Sequence, residues 1–145
     1  MKISIGSDHG GFAYKQEVIK YLEEKGYEII DCGTYSLDSC DYPDFAYEAA
    51  KKVSDKEVER GIVICTSGEG VCITANKLKG VRCGLIYNEE VSLLTRQHND
   101  CNMVSFGAKF MPLDLVKKCI DNFLNTEFEG GRHLNRVNKI KVVEE

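Results

Sequence analysis

Residues 61–70 read GIVICTSGEG, and this stretch decides the fold. A short apolar, β-branched run predicts a strand that ends at Cys65, and a loop with Gly68 and Gly70 leads into a helix that begins near Val71. In an open α/β sheet, ligands bind where strands end and helices begin. The N–H groups of a glycine loop at that edge converge on anions, and they stabilise a thiolate placed there. The stretch therefore predicts an anion site beside a sulfur that can act in catalysis.

The chain on both sides continues the alternation of strand and helix. In residues 12–25, for example, Tyr14, Val18 and Leu22 recur on one helical face, and Gly26 ends the helix. The predicted strands are 2–6, 27–32, 61–65, 81–87 and 103–106. The predicted helices are 12–25, 42–54, 70–78, 89–98 and 112–125. Repeated β-α units of this kind predict an α/β fold, with a parallel sheet, right-handed crossovers and helices on both faces.

Length and composition fit a single domain over residues 1–145, with an ordinary hydrophobic content of 43%. No apolar stretch is long enough to cross a membrane, and no basic-then-apolar leader opens the chain, so we expect no membrane partner and no signal peptide. The net charge is −4, and no basic stripe precedes the C-terminal end, which argues against a nucleic-acid partner. The polar segment 127–145 has too little apolar content to fold alone, so we expect it to pack on the body or on a partner subunit.

The cysteine pattern favours a reducing compartment. There are seven cysteines with scattered spacing and no C-x-x-C pair, so a structural zinc site is not expected. Without a leader, a cytoplasmic protein fits best, with most of these thiols acting as small buried hydrophobes. Position alone is equally compatible with a core role and a catalytic role for Cys65. The loop beside it favours catalysis, because a core cysteine needs no anion cradle.

Other candidates have plain structural explanations. Asp8 and His9 follow the first strand at the same sheet edge as Cys65, where they could cap a helix or form an acid–base pair. His98 near a helix end is favoured electrostatically in any case. Arg132 and Arg136 are four residues apart, which on a helix suits a phosphate but is more typical of a solvated basic face.

Taken together, the motifs resemble ribose-5-phosphate isomerase type B, in the RpiB/LacAB family of sugar-phosphate isomerases. In order along nearly the whole chain they are GSDHGGF (6–12), DCGT (31–34), DYP (41–43), ANK (75–77), GVR (80–82), RQHND (96–100), FG (106–107) and GGRH (130–133). The resemblance implies a Rossmann-like three-layer α/β/α sandwich with a five-stranded sheet. It also implies a homodimer or a dimer of dimers with active sites formed between subunits, and interconversion of ribose 5-phosphate and ribulose 5-phosphate without metal or cofactor.

The resemblance also assigns roles to residues. Cys65 would be the base that moves the C2 proton through a cis-enediolate, because Val71 stands where a second branch of the family has a glutamate. His98 would open the sugar ring, with Asp8 assisting and Ser67 nearby. The remaining residues would bind the substrate. The enediolate would be bound by Asn99 and by N–H groups of the loop, from Thr66, Gly68, Glu69 and Gly70. The phosphate would be bound by His9, Arg132, Arg136 and Lys109, and the family often has arginine at the position of Lys109.

The loop departs from the family's usual Cys-Gly-Thr-Gly-apolar-Gly pattern at three positions. Thr66 replaces a glycine, Ser67 replaces threonine and Glu69 replaces the apolar residue. Thr66 would be strained if its position requires a left-handed backbone, and Glu69 would repel an anion unless its side chain points away. These departures leave open an isomerase for a six-carbon aldose phosphate, such as allose 6-phosphate, and a non-catalytic sugar-phosphate-binding protein on the same fold.

Overall fold

The computed structural model describes residues 1–144. The strands are β1 (Lys2–Ser7), β2 (Glu28–Asp31), β3 (Arg60–Cys65), β4 (Cys83–Leu85) and β5 (Met103–Gly107). The helices are α1 (Phe12–Glu24), α2 (Tyr42–Ser54), α3 (Glu69–Ala75), α4 (Glu89–Gln97), α5 (Leu113–Asn125) and α6 (Arg132–Val143). No helix within this range is long and apolar enough to span a membrane.

The five strands form one parallel sheet in the order β2-β1-β3-β5-β4. One face is covered by α1, α4 and α5, with Leu22 and Ile120 in its core, and the other face by α2 and α3, with Ala50 and Val71 in its core. The predicted three-layer α/β/α sandwich on a five-stranded parallel sheet is therefore confirmed.

The strand order places a topological switch point between β1 and β3. Ser7 pairs with Ile64 at the ends of these neighbouring strands, yet α1 leaves β1 on one face of the sheet and α3 leaves β3 on the other. Helices that diverge in this way open a crevice at the carboxyl ends of the two strands, and ligands of open α/β proteins bind in such crevices.

The fourth strand is shorter than its apolar pattern predicts. It covers Cys83–Leu85 instead of 81–87, because side-chain amides take over hydrogen bonds at its start. The N–H of Arg82 donates to Asn102 Oδ1 at 2.9 Å, and the N–H of Cys83 donates to Asn76 Oδ1 at 2.8 Å. This edge strand is therefore tied to its neighbours partly through side chains.

The polar C-terminal segment forms α6 after a turn at Gly130 and Gly131, whose φ angles are 69° and 55°. Val137 is the one buried residue of this helix. Hydrogen bonds also tie the segment to its own chain: the N–H of Glu129 donates to the carbonyl of Gln97 at 3.1 Å, and the N–H of Gly80 donates to the Glu144 carboxylate at 3.0 Å. Other apolar side chains of the helix face solvent, namely Leu134, Ile140, Val142 and Val143.

Candidate functional site

The switch-point crevice gathers the candidates that follow β1, β3 and β5. We call this group the β3 cluster; its members are Asp8, His9, Cys65, Thr66, Ser67, Gly68, Glu69, Gly70 and Lys109. The loop after β3 is joined to the segment after β5 by two hydrogen bonds, in which the N–H groups of Ala108 and Lys109 donate to the carbonyls of Cys65 and Thr66 at 2.9 and 3.1 Å. Parallel strands that end together therefore bring these residues to one edge.

The sulfur of Cys65 lies at the centre of the cluster. The residue is 5% exposed and ends β3, and the N–H of Gly68 donates to its Sγ at 3.1 Å. Gly68 has a φ of 81°, and this left-handed conformation turns the loop back toward the sulfur. Ser105 on β5 fixes the turn from behind, because its buried hydroxyl donates to the Gly68 carbonyl. A backbone N–H aimed at sulfur stabilises negative charge there.

The departures in the loop are accommodated without strain. Outside glycine, only Lys56 and Asp100 have positive φ angles in residues 1–144, so Thr66 does not occupy a left-handed conformation. Ser67 Oγ accepts the N–H of Glu69 at 3.2 Å, and the Glu69 side chain is exposed at the start of α3. An acidic residue in the first turn of a helix is electrostatically favourable.

Asp8 and His9 are held by backbone groups. Asp8 is 8% exposed, and its Oδ1 accepts the N–H of Gly11 at 3.1 Å, so the carboxylate organises the turn that leads into α1. His9 is exposed, and its Nδ1 accepts the N–H of Cys40 at 3.2 Å. This bond makes Nδ1 an acceptor and leaves Nε2 free to face a ligand.

A pocket of about 200 Å³ adjoins the loop. Ser67 and Glu69 line one side, and Tyr87 and Phe110 line the other, both with their rings largely exposed. Lys109 stands at the same edge with an exposed side chain. This pocket, at the ends of β3, β4 and β5, therefore combines apolar walls with polar groups on the loop.

The other candidates lie elsewhere. We call them the α6 cluster: His98, Asn99, Arg132 and Arg136. His98 caps the C-terminal end of α4, and its ring stacks on that of His133 with centroids 4.2 Å apart. Arg132 and Arg136 are both exposed on α6, where their four-residue spacing places them on one face of the helix.

The two clusters are at opposite edges of the sheet. Helix α4 starts after the carboxyl end of β4 and ends before the amino end of β5, so His98 lies at the amino edge, whereas Cys65 pairs with Gly107 at the carboxyl edge. Five-residue strands such as β5 extend about 13 Å at ~3.3 Å per residue. Within one chain, His98 therefore does not reach Cys65.

Comparison with known proteins decides the family. Residues 3–140 match the family model described as Ribose/Galactose Isomerase. Ribose-5-phosphate isomerase B from Escherichia coli is 42% identical over 144 residues, covering 99% of this chain and 97% of that protein. The chain belongs to the ribose/galactose isomerase family. Its resemblance to this family is thus confirmed, and so is its assignment as an isomerase.

Solved structures of family members share the fold closely. The ribose-5-phosphate isomerase B of Clostridium thermocellum superposes with a TM-score of 0.98 at 46% identity, covering 99% of this chain and 97% of that one. The Mycoplasma genitalium enzyme, solved with bound ribulose 5-phosphate, superposes with a TM-score of 0.95 at 39% identity and covers 99% of this chain and 95% of that one.

The sequence patterns did not indicate three residues that contact the candidate site residues, namely Ser105, Glu129 and His133. Ser105 supports the loop through a contact that no local pattern reveals. Glu129 and His133 approach His98: Oε1 of Glu129 lies 3.7 Å from Nε2 of His98 and 3.6 Å from Nε2 of His133. Burial and the neighbouring His98 lower the pKa of His133. The i, i+4 spacing of Glu129 and His133 was an available signal for this pair.

Proposed function

We propose that this isomerase interconverts ribose 5-phosphate and ribulose 5-phosphate without a cofactor. Cys65 removes the proton from C2 of the open-chain sugar and returns it to C1, by way of a cis-enediolate. The relatives named ribose-5-phosphate isomerase B, and the relative solved with ribulose 5-phosphate, support this choice of substrate.

The observation that carries the proposal is the hydrogen bond from the Gly68 N–H to Cys65 Sγ at 3.1 Å. A base must hold negative charge before it takes a proton, and this N–H stabilises such charge on sulfur. Val71 is fully buried in α3, so the position where a second branch of the family has glutamate holds no proton carrier here. Among the side chains at this loop, the thiol is therefore the group best suited to C2.

The other residues of the β3 cluster supply binding and ring opening. Backbone N–H groups of Thr66 to Gly70 bind the enediolate oxygen. Each preorganised donor of this kind lowers the activation free energy by roughly 3–4 kcal/mol. Asp8 assists proton transfer at the sugar hydroxyl, and Ser67 positions that hydroxyl. His9 presents its free Nε2 to the phosphate, with Lys109 adding charge.

A second copy of the chain completes the site. His98 opens the ring, Asn99 assists at the enediolate, and Arg132 and Arg136 bind the phosphate, yet all four lie at the sheet edge away from Cys65. Two copies that pack with these edges facing each other join the α6 cluster of one to the β3 cluster of its partner. The exposed apolar residues of α6 supply surface for such packing. We therefore propose a homodimer or a dimer of dimers.

The alternative of a non-catalytic sugar-phosphate-binding protein was suggested by the substitutions in the loop. The positive φ falls on Gly68 rather than Thr66, and the Glu69 side chain is exposed, so neither substitution disables the loop. This favours catalysis. A six-carbon aldose phosphate remains the second substrate to assay, because a pocket of about 200 Å³ beside Ser67 offers space next to the loop.

The first experiment measures ribulose 5-phosphate formation by the wild-type protein, Cys65→Ala and Cys119→Ala. Cys119 is as buried as Cys65 but lies on α5, so it controls for loss of a core thiol. We expect Cys65→Ala to lose roughly 10²–10⁴-fold or more of kcat, the usual contribution of a general base, and Cys119→Ala to retain it. Full turnover in Cys65→Ala would contradict the assigned base.

Solvent exchange separates the remaining alternatives. An isomerase exchanges the C2 hydrogen of its sugar with deuterium from D₂O, whereas a binding protein does not. If the wild-type protein leaves ribose 5-phosphate unchanged, exchange into allose 6-phosphate would move the assignment to six-carbon sugars. Absence of exchange into both sugars would favour the binding protein.

A further inference from the structure

Three side chains at the amino edge of the sheet, away from the proposed base Cys65, bring possible metal-ligand atoms close together. His98 ends α4, Glu129 lies in the turn before α6, and His133 lies in the first turn of α6. One ring nitrogen of each histidine and a carboxylate oxygen of Glu129 all lie within 4.8 Å of one another. Within residues 1–144, no other trio of His, Cys, Asp or Glu has such spacing.

The distances are too long for hydrogen bonds and leave space for an ion beside Glu129. Oε1 of Glu129 is 3.7 Å from Nε2 of His98 and 3.6 Å from Nε2 of His133, beyond the 2.7–3.2 Å or so of a normal hydrogen bond. An ion about 2.1 Å from both atoms of such a pair subtends an angle of about 120°, near the tetrahedral value of about 109°.

We propose that His98, Glu129 and His133 bind a divalent transition-metal ion such as Zn²⁺, with a fourth position open to water. Two imidazoles and one carboxylate form a donor set that Zn²⁺ accepts in open sites.

The backbone preorganises two of the three ligands. The N–H of Glu129 donates to the Gln97 carbonyl at 3.1 Å, which ties the turn to the end of α4 beside His98. The N–H of His133 donates to the Gly130 carbonyl at 3.0 Å, and the His133 side chain is only 12% exposed. Main-chain contacts therefore hold the backbone positions from which the Glu129 and His133 side chains extend.

His98 has to move for all three ligands to converge. The two rings are 13° from parallel and stacked, so their nitrogen lone pairs lie in separate planes and do not meet at one point. His98 is the more exposed ring, at 39%, and has room to turn out of the stack. Metal binding therefore withdraws His98 from its resting position.

Nearby charge limits the affinity. Arg132 and Arg136 add positive charge around His133, and Glu129 is the single negative ligand. The site therefore binds metal reversibly and is not a structural site. Its effect on the reaction rests on the proposed function: if His98 opens the sugar ring, an ion that holds its Nε2 inhibits the enzyme.

Co²⁺ provides a direct test, because its visible absorption reports tetrahedral coordination and its near-ultraviolet absorption reports thiolate ligands. Titration of the metal-free, full-length protein with Co²⁺ is expected to give visible bands that saturate at one ion per chain, without a thiolate band. The variants are Glu129→Gln and His133→Gln, with Glu127→Gln as an acidic control outside the trio. We expect the first two to lose at least the roughly 10–100-fold of affinity that removing an outer-sphere partner costs, and the control to match wild type.

Several results would overturn the metal site: no visible bands, a thiolate band in their place, or bands that persist at full affinity in both ligand variants. Inhibition is measured separately. Zn²⁺ is expected to lower the isomerase rate at least about tenfold, EDTA to restore it, and Glu129→Gln to be less sensitive. Metal binding without inhibition would still support the site, and it would contradict the role of His98 instead.

Discussion

At the scale of single residues, Gly68 has the backbone conformation on which the loop after β3 depends. Its φ is 81°, and a Cβ added there would lie 2.8 Å from the Phe106 carbonyl carbon and 2.9 Å from the Gly107 nitrogen. Gly68→Ala therefore incurs about 1–2 kcal/mol for the left-handed backbone and, in addition, forces the loop away from β5. We expect a lower urea midpoint and a large loss of kcat, because the N–H that faces Cys65 moves.

Gly26→Ala is the matched control for this prediction. Gly26 also has a positive φ, 93°, but a Cβ there meets nothing within 4 Å. It follows the C-terminal end of α1, whereas the crevice lies at the other end of that helix. We expect Gly26→Ala to lose about 1 kcal/mol of stability and to keep wild-type kcat. Equal kcat values in the two variants would show that the loop geometry does not matter for catalysis.

The sequence predicted the loop but not its conformation. Two glycines after an apolar run indicate an anion cradle, yet nothing local says which residue takes the positive φ. That choice is made by contacts distant in sequence: the Lys109 N–H binds the Thr66 carbonyl, and Ser105 binds the Gly68 carbonyl. Thr66 and Glu69 looked unfavourable only because these contacts could not be seen.

At the scale of elements, the strongly apolar strands and helices were predictable and α6 was not. Its residues are mostly polar, and Val137 is the only one of them that is buried, so its pattern contains little to predict from. Val137→Ala removes two buried methyl groups, which lowers the hydrophobic stabilisation of the helix by about 1.5–2 kcal/mol at ~0.8 kcal/mol per methyl or methylene group. We expect faster amide hydrogen exchange in α6 and a higher KM for the sugar phosphate, with kcat changed less, since Arg132 and Arg136 are proposed to bind the phosphate.

Lys139→Ala serves as the control on the same helix, because Lys139 is exposed and lies outside the apolar surface proposed to pack against a second copy. It is expected to leave amide exchange in α6 unchanged. If Val137→Ala lowers kcat and leaves KM unchanged, the helix does not act through phosphate binding, and the roles of the two arginines would have to be revised.

At the scale of the whole molecule, the separation of the two clusters follows from chain order. A helix between parallel strands starts at the carboxyl edge and returns to the amino edge, so His98, at the end of such a helix, is placed away from Cys65 before any side chain is considered. The sequence therefore contained this signal. What it could not show is that Glu129 and His133 come to His98, because the turn at Gly130 and Gly131 sets that approach.

Shared sites predict complementation between two inactive chains. If each site takes Cys65 from one copy and His98 from its partner, a mixed dimer of Cys65→Ala and His98→Asn has one site with both defects and one intact site. Coexpression in equal amounts makes half of the dimers mixed. We expect about one quarter of wild-type turnover in the mixture, from two variants that are each inactive alone.

Cys65→Ala coexpressed with Asp8→Asn is the control, because both positions belong to the β3 cluster of one chain. Each site of that mixed dimer keeps one defect, so no activity should return. The two mixtures thus differ only in whether the second defect lies in the same cluster as Cys65 or in the α6 cluster. If the His98→Asn mixture also stays inactive while gel filtration shows that mixed dimers form, then His98 and Cys65 do not meet across two copies. The ring-opening role would then have to pass to a residue of the β3 cluster, for which His9, with its free Nε2, is the nearest candidate.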